Sequence, residues 1–368
     1  MQDISNAPAP RRYWLSPPVV LSACLVLLGA VGSLLIRVYF VHGGQCLWLS
    51  TMIQVSGWPL LLPALCVSML LRSRRGGGGV ADRLLPARLV GAVAVLGALF
   101  AAACFAYSLG SRALPLSTSS LLLATQLAFN AVAAVLFAGL RFTPFSANAV
   151  VLLTVGPAAL GVGPSSEKLA GEASATAYWT GFFECVASAA LLGLALPLVE
   201  VAMSNYGRRT SGAAVRLPSS YATVMQIQAV MGAAGTTVCL AGMAIAEDFQ
   251  EIHREAAAFG LGETNYYLLL IFGAVSWQLC NLGIMGLIVC SSSLLAGIMI
   301  ALVLPLAEVL AVVFLHEKFD GVKGIALVLS LWGFVSYLYG ESAQKTTEAR
   351  RYEDLDSSTC CPLMAGNL

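Results

Sequence analysis

The chain has 368 residues, of which 58% are hydrophobic and 11% charged. Soluble domains carry about 25% charged residues, so neither a water-soluble domain nor a disordered chain fits. A net charge of +1 supplies no field to hold a polyanion, which excludes nucleic acid as a partner. With a mean hydropathy of +0.82, the composition is that of a polytopic membrane protein whose surroundings are the lipid bilayer.

Residues 1–17 form a polar N-terminal arm. Ten apolar runs follow, at roughly 18–40, 46–71, 88–109, 117–139, 145–163, 176–202, 221–246, 265–290, 291–314 and 321–340. Each is near the ~20 residues that cross a hydrocarbon layer of ~30 Å. The run after Arg11 and Arg12 is too long for the core of a cleavable leader and long enough to span. A polar tail, 341–368, closes the chain. Most of the ten cysteines, Cys24, Cys66, Cys104 and Cys185 among them, lie inside apolar runs, where they act as small hydrophobes. No CxxC pair occurs, so neither a metal nor a redox cofactor is expected. The glycine run Gly76–Gly79 lacks the GK[ST] ending of a phosphate loop and reads as a flexible linker.

Lys and Arg set the direction of insertion. With the N-terminus in the cytoplasm, fourteen of them fall on the cytoplasmic side, including Arg72, Arg74, Arg75, Arg208 and Arg209, and six on the other. Both termini are therefore expected to be cytoplasmic.

The chain also repeats itself. Thr118-Ser119-Ser120-Leu121-Leu122 parallels Ser291-Ser292-Ser293-Leu294-Leu295. Arg141-Phe142 parallels Lys318-Phe319, followed by Ala149/Ala326, Leu152/Leu329 and Gly156/Gly333. Spans four and five thus look like copies of nine and ten, which makes the repeat unit five helices. An odd number of spans turns the second copy upside down. The expected fold is an all-α polytopic membrane protein of ten transmembrane helices in two inverted repeats, 18–163 and 176–340. Such halves rock about a midplane site in alternating access.

Between about Gly29 and Glu341 the residues resemble the plant purine permease family, within the drug/metabolite transporter superfamily. The resemblance rests on Arg37–Gly44 (RVYFVHGG), on Gln54–Pro59 (QVSGWP), on TSSLLLATQLAFNA (118–131) and on RFTPFSANAVVLL (141–153). FGLGE (259–263) and the block from Ser292 to Glu341, with LPLAEVLAVVFLHEKF and LSLWGFVSYLYGE, extend it. It implies ten helices and proton-coupled uptake of purine bases and related heterocycles, cytokinins among them. The expected location is the plasma membrane.

Polar residues inside the spans are the candidate site. Of the acidic ones, Glu200 lies at the end of its span, within reach of the interface, and Glu184 in the outer half of the same span. Glu308 lies about seventeen residues into the ninth span, in its outer third, three residues after Pro305, whose missing N–H frees a carbonyl and suits the edge of a cavity. A carboxylate at that depth costs ~2.5 kcal/mol or more, so Glu308 is the expected proton-coupling residue. The amides form a second set. Gln126 and Asn130 share a helix face, Gln278 and Asn281 are three apart beside Trp277, and Gln54 is four residues from Trp58. An amide meets the donor–acceptor edge of adenine with two hydrogen bonds, and a flat ring stacks on aromatics. Gln54, Trp58, Gln126, Asn130, Trp277 and Gln278 are therefore the expected substrate-binding residues. The plain alternative for any one amide is a helix-to-helix hydrogen bond.

Two other functions compete. One is transport of a different planar heterocycle or alkaloid. The other is a polytopic membrane enzyme, but the three histidines, His42, His253 and His316, all fall in expected loops, and no nucleophile elbow or paired-carboxylate motif accompanies them. The chain is expected not to be an enzyme. A cysteine introduced between residues 203 and 220 should react with an impermeant thiol reagent only after the cytoplasmic face is opened; labelling in intact cells would reverse the orientation.

Overall fold

The computed structural model describes residues 16–74, 85–113, 122–123, 125–138, 144–162, 175–209, 221–303 and parts of 321–343. Among the described residues the chain is helical and has no strand. Six segments are long and apolar enough to cross a membrane: Pro17–Val41, Leu47–Leu71, Ala87–Gly110, Trp179–Asn205, Tyr221–Ile245 and Glu263–Cys290. Shorter apolar helices cover Gln126–Phe137, Pro144–Val155 and Ser293–Val303. The protein is thus an all-helical, multi-pass membrane protein. Glu308 and the Gly76–Gly79 run lie outside the described residues.

Several spans are interrupted, each for a local reason. The first is two helices, α1 (Pro17–Gly29) and α2 (Val31–Val41), joined at Ala30. The second contains α3 (Leu47–Val55), a 3-10 turn (Trp58–Leu60) and α4 (Leu61–Arg74). Pro59 has no N–H to return to Val55, so the α-helix cannot continue through it. Then come α5 (Ala87–Ala113), α6 (Gln126–Ala138), α7 (Pro144–Val162) and α8 (Ala175–Arg209), the last with Pro197 inside it. The series ends with α9 (Tyr221–Ile245), the short α10 (Asp248–Ala258), α11 (Glu263–Cys290) and α12 (Ser293–Val303). Ser292 starts α12 as a cap: its hydroxyl accepts the Leu295 N–H at 3.2 Å.

The most extensive packing joins α5 to α8, α1 to α11, α5 to α9 and α6 to α8. Small residues make these approaches possible, as lipid-embedded helices require. Gly29 lies directly on Cys280, and a Cβ on Gly283 would come within 2.5 Å of the Ser22 carbonyl oxygen. The faces left over are apolar and exposed: Val95, Leu136, Phe183, Ile245 and Phe272 point outward, where lipid rather than water is their solvent. Near the chain's end, α7 runs antiparallel to a helical stretch at 331–337. Asn148 donates to the Ser336 hydroxyl at 3.1 Å, Gly333 lies on Leu152 and Leu153, and Gly340 on Phe145.

A polar staple closes the end of the bundle that carries α10. Asp248, Glu251 and Glu255 follow at spacings of three and four, which puts them on one helical face. Glu255 is 9% exposed. Its Oε2 accepts the backbone N–H groups of Gln45 and Cys46, both at 3.2 Å, and its Oε1 accepts the Tyr266 hydroxyl at 3.3 Å. The carboxylate thereby ties the α2–α3 turn to α10 and α11. Burial pushes the Cys46 thiol up, and the neighbouring Glu255 reinforces the shift. Burial likewise raises the Asp248 carboxyl, against a hydrogen bond from the Trp48 backbone that lowers it; Glu255 and Glu251 push it further up. Gly43 (φ 106°) and Gly262 (φ 90°) take the left-handed conformations that the turns around this staple need.

Glu255→Leu should leave the buried Cys46 N–H unpaired, at about 1–3 kcal/mol, and free the part-buried Gln45 N–H at a smaller cost. The melting temperature of the purified protein in detergent should fall clearly, with Glu255→Gln milder because its oxygen still accepts. Gly283→Val should separate α1 from α11 and give aggregated material on size exclusion. Gly91→Ala, where no atom stands within 4 Å of the added Cβ, should be silent.

Candidate functional site: an amide-lined cavity between the helices

A cavity of about 50 Å³ lies inside the bundle. Its wall draws on α3 (Val55), α5 (Phe100), α6 (Gln126), α8 (Leu192–Val199), α9 (Gln228, Gly232), α11 (Asn281) and α12 (Ile300). Most of the wall is aliphatic. Its hydrogen-bonding side chains are the amides of Gln126, Gln228 and Asn281, and no charged side chain lines it among the described residues. A water needs about 10–15 Å³ of such space, so the cavity holds a few waters and no bicyclic ring.

Helix irregularities converge on this wall. α6 begins at Gln126, following the Thr125 turn, so its first residue stands at the cavity. Pro197 leaves the Gly193 carbonyl without its usual donor. A Cβ on Gly193 would come within 2.6 Å of the Gln126 carbonyl oxygen and 2.8 Å of the Asn130 nitrogen. Broken helices inside a membrane are tolerated where they line a cavity, because water, ligand or side chains then satisfy the freed groups.

The expected site residues are distributed around this cavity rather than all on it. Gln126 lines it. Gln54 lies next to the lining residue Val55; its side chain donates to the Ser50 carbonyl at 3.3 Å. Its own carbonyl accepts Asn281 Nδ2 at 2.9 Å. Trp58 packs on Gly232, where a Cβ would approach its own Cβ to 2.7 Å, so the indole stands one residue behind the lining. Gln278 is 2% exposed and packs on Gly57, beside Trp58. Trp277 turns to a different neighbour, Gly32 on α2. Asn130 is fully buried; its Nδ2 donates to the Ser293 carbonyl at 3.2 Å and ties α6 to α12.

Several polar atoms in this region lack partners among the described residues. They are both amide atoms of Gln278, the indole nitrogens of Trp58 and Trp277, Asn130 Oδ1 and Ser293 Oγ. A buried unpaired polar group is costly, so such a cluster marks a place where water or a ligand completes the bonding. Glu200, read from sequence as reaching the interface, accepts the Ser293 N–H at 2.9 Å and holds the start of α12 against α8. Two lining amides stand outside the expected substrate-binding set: Asn281, noted only as a neighbour of Gln278, and Gln228, not singled out from the sequence. The signal was present: an amide four residues before Gly232 in an apolar helix, with the pattern Met225-Gln226-Ile227-Gln228.

Comparison with known proteins now places the chain. A family profile described as purine nucleobase transmembrane transport matches residues 17–347. The chain belongs to this family. Purine permease 3 of Arabidopsis thaliana is 40% identical over 326 residues, which is 88% of this chain and 90% of that protein. Purine permease 2 of the same plant is 38% identical, over 89% of this chain and 93% of its own length. Purine permease 21 is 32% identical, over 91% and 83%. A protein of known crystal structure superimposes on 89% of this chain and 99% of its own with a TM-score of 0.57 at 17% identity, a likeness of fold alone. The relatives are named permeases, and this member of the purine permease family is a membrane transporter, not an enzyme.

If Asn130 ties α6 to α12, Asn130→Leu should lower the thermal stability of the purified protein. Gln126→Leu, which breaks no hydrogen bond among the described residues, should leave it within about 0.5 kcal/mol of the parent. Thermal unfolding followed by tryptophan fluorescence compares the two.

Proposed function

We propose that the protein is a proton-coupled uptake carrier for purine bases and related planar heterocycles, cytokinins among them. It works by alternating access between two inverted five-helix halves, 18–163 and 176–340, flanked by the arm 1–17 and the cytoplasmic tail 341–368. The plasma membrane, with both termini in the cytoplasm, is its proposed setting. The observation that carries the reading is the cavity: three amides, an aliphatic wall and no charged side chain among the described residues, drawn from helices between α3 and α12. That chemistry suits a neutral ring with several donors and acceptors. It suits neither an ion nor a sugar phosphate. The names of the relatives at up to 40% identity point the same way.

Gln126 and Gln228 face the ring in this account. Gln54, Trp58, Asn130, Trp277 and Gln278 form the shell that meets it as the helices part, since the present cavity is too small for a purine. The antiparallel pairing of α7 with 331–337 is what two inverted copies would make where they meet, which favours the repeat. Glu308 is the proposed proton carrier. Protonated, it is neutral and crosses between states; ionised, it is held back by its desolvation cost.

Counterflow in proteoliposomes tests the carrier. Vesicles loaded with unlabelled adenine should take up labelled adenine faster than empty ones, and equal rates would defeat the proposal. Gln228→Leu should raise the apparent KM about tenfold, at about 1.4 kcal/mol for the lost hydrogen bond. Glu308→Gln should retain counterflow and lose accumulation driven by external acid. If that variant still concentrates adenine, the proton travels on another group.

A further inference from the structure

One amide in the cavity wall is not free to choose which end it presents. Asn281 lies on α11, is 7% exposed and lines the cavity. Its fixed orientation originates on another helix. α3 ends at Val55, and the chain continues as a 3-10 turn in which Leu60 N–H returns to the Gly57 carbonyl at 3.1 Å. The N–H that would have closed on the Gln54 carbonyl in a continued helix belongs to Trp58, which now opens that turn. The Gln54 carbonyl is left without a helical donor inside the membrane, where an unpaired carbonyl is costly. Asn281 supplies the donor, Nδ2 to oxygen at 2.9 Å.

A carbonyl oxygen accepts only a donor. The nitrogen of the Asn281 amide must therefore face Gln54, because the reverse arrangement would set oxygen against oxygen. Oδ1 is then fixed at the opposite corner of the planar amide. The bond to Gln54 is the one hydrogen bond of this side chain among the described residues. Gln126 and Gln228 differ: neither side chain makes a hydrogen bond among the described residues, so each can turn either end to a ligand.

We propose that Asn281 Oδ1 is a specificity-determining acceptor, which requires the substrate to carry an unsubstituted N–H at one position of its ring system. The ligand class is a neutral heteroaromatic base with that N–H free; the same base alkylated or glycosylated at that nitrogen is rejected. Gln126 and Gln228 tolerate either a donor or an acceptor, so variation elsewhere on the ring is accepted. The inference rests on the carrier reading above and adds to it the rule by which the cavity selects. Its cause lies in the backbone: Pro59 breaks the helix, the break orphans a carbonyl, and the orphan sets the polarity of the amide.

The test is a competition panel against labelled adenine in proteoliposomes. The competitors are adenine and its 9-methyl, 7-methyl, 3-methyl and N6,N6-dimethyl derivatives. In the parent protein one of these substitutions should weaken competition by about tenfold to a hundredfold, the cost of leaving a buried acceptor unpaired. The others should cost much less. This arm needs no variant and so no assumption about folding. In Asn281→Leu, adenine itself should lose that same factor while the rejected derivative is unchanged, bringing the two within about twofold of each other. A parent that ranks all derivatives within about twofold overturns the proposal. So does a variant that weakens adenine and its rejected derivative equally. Absence of adenine counterflow in the parent is a different outcome, which overturns the carrier reading and this inference with it.

Discussion

The structure depends on one constraint: inside a bilayer every backbone N–H and C=O must find its partner within the protein. An unbroken helix meets that demand alone. Each break therefore creates a debt that a side chain from another helix has to meet. The freed Gln54 carbonyl draws Asn281, and the Ser293 N–H at the head of α12 draws Glu200. These bonds are ties that the breaks themselves call for, and they stand at or next to the cavity: Asn281 lines it, and Gln54 and Glu200 adjoin its lining residues Val55 and Val199.

The same constraint explains why the cavity is lined as it is. A charged group there would be expensive in the empty state, whereas a primary amide carries two donors and one acceptor without charge. Three amides in an aliphatic wall give hydrogen-bonding capacity at low desolvation cost. The glycines do the complementary work. Gly232 lets Trp58 sit directly behind the wall, and Gly57 lets Gln278 approach the same turn. Aromatic surface and amide chemistry are thus brought to one place by residues that have no side chain of their own.

At the α10 end of the bundle a different solution operates. Glu255 is buried, yet its oxygens are engaged by two backbone N–H groups and the Tyr266 hydroxyl. A carboxylate with its acceptors occupied is a structural tie, in contrast to the partnerless atoms of Gln278, Trp58 and Ser293 deeper in the molecule. Asp248 Oδ2, beside the staple, also has no partner among the described residues, so unpaired polar atoms occur at both levels of the bundle.

The sequence by itself determined the class: repeated runs of some twenty apolar residues with almost no charge read as membrane helices, and six of them are helices of that length among the described residues. It also determined the stock of amides, because in a chain that is 58% hydrophobic every polar residue within a span is conspicuous. Gln126, which lines the cavity, stood out in the sequence for that reason. What only the tertiary structure decided was which polar residues face one another. Gln278 and Asn281 are three apart and equally visible in the sequence, but Asn281 reaches the cavity while Gln278 packs on Gly57. Gln228 reaches it unannounced, and Trp277 turns toward Gly32. Helical periodicity gives the face of a residue relative to its own helix. The rotation of that helix against its neighbours is set by where glycines permit close approach and where broken backbones demand a partner, and both are properties of pairs of segments far apart in the chain.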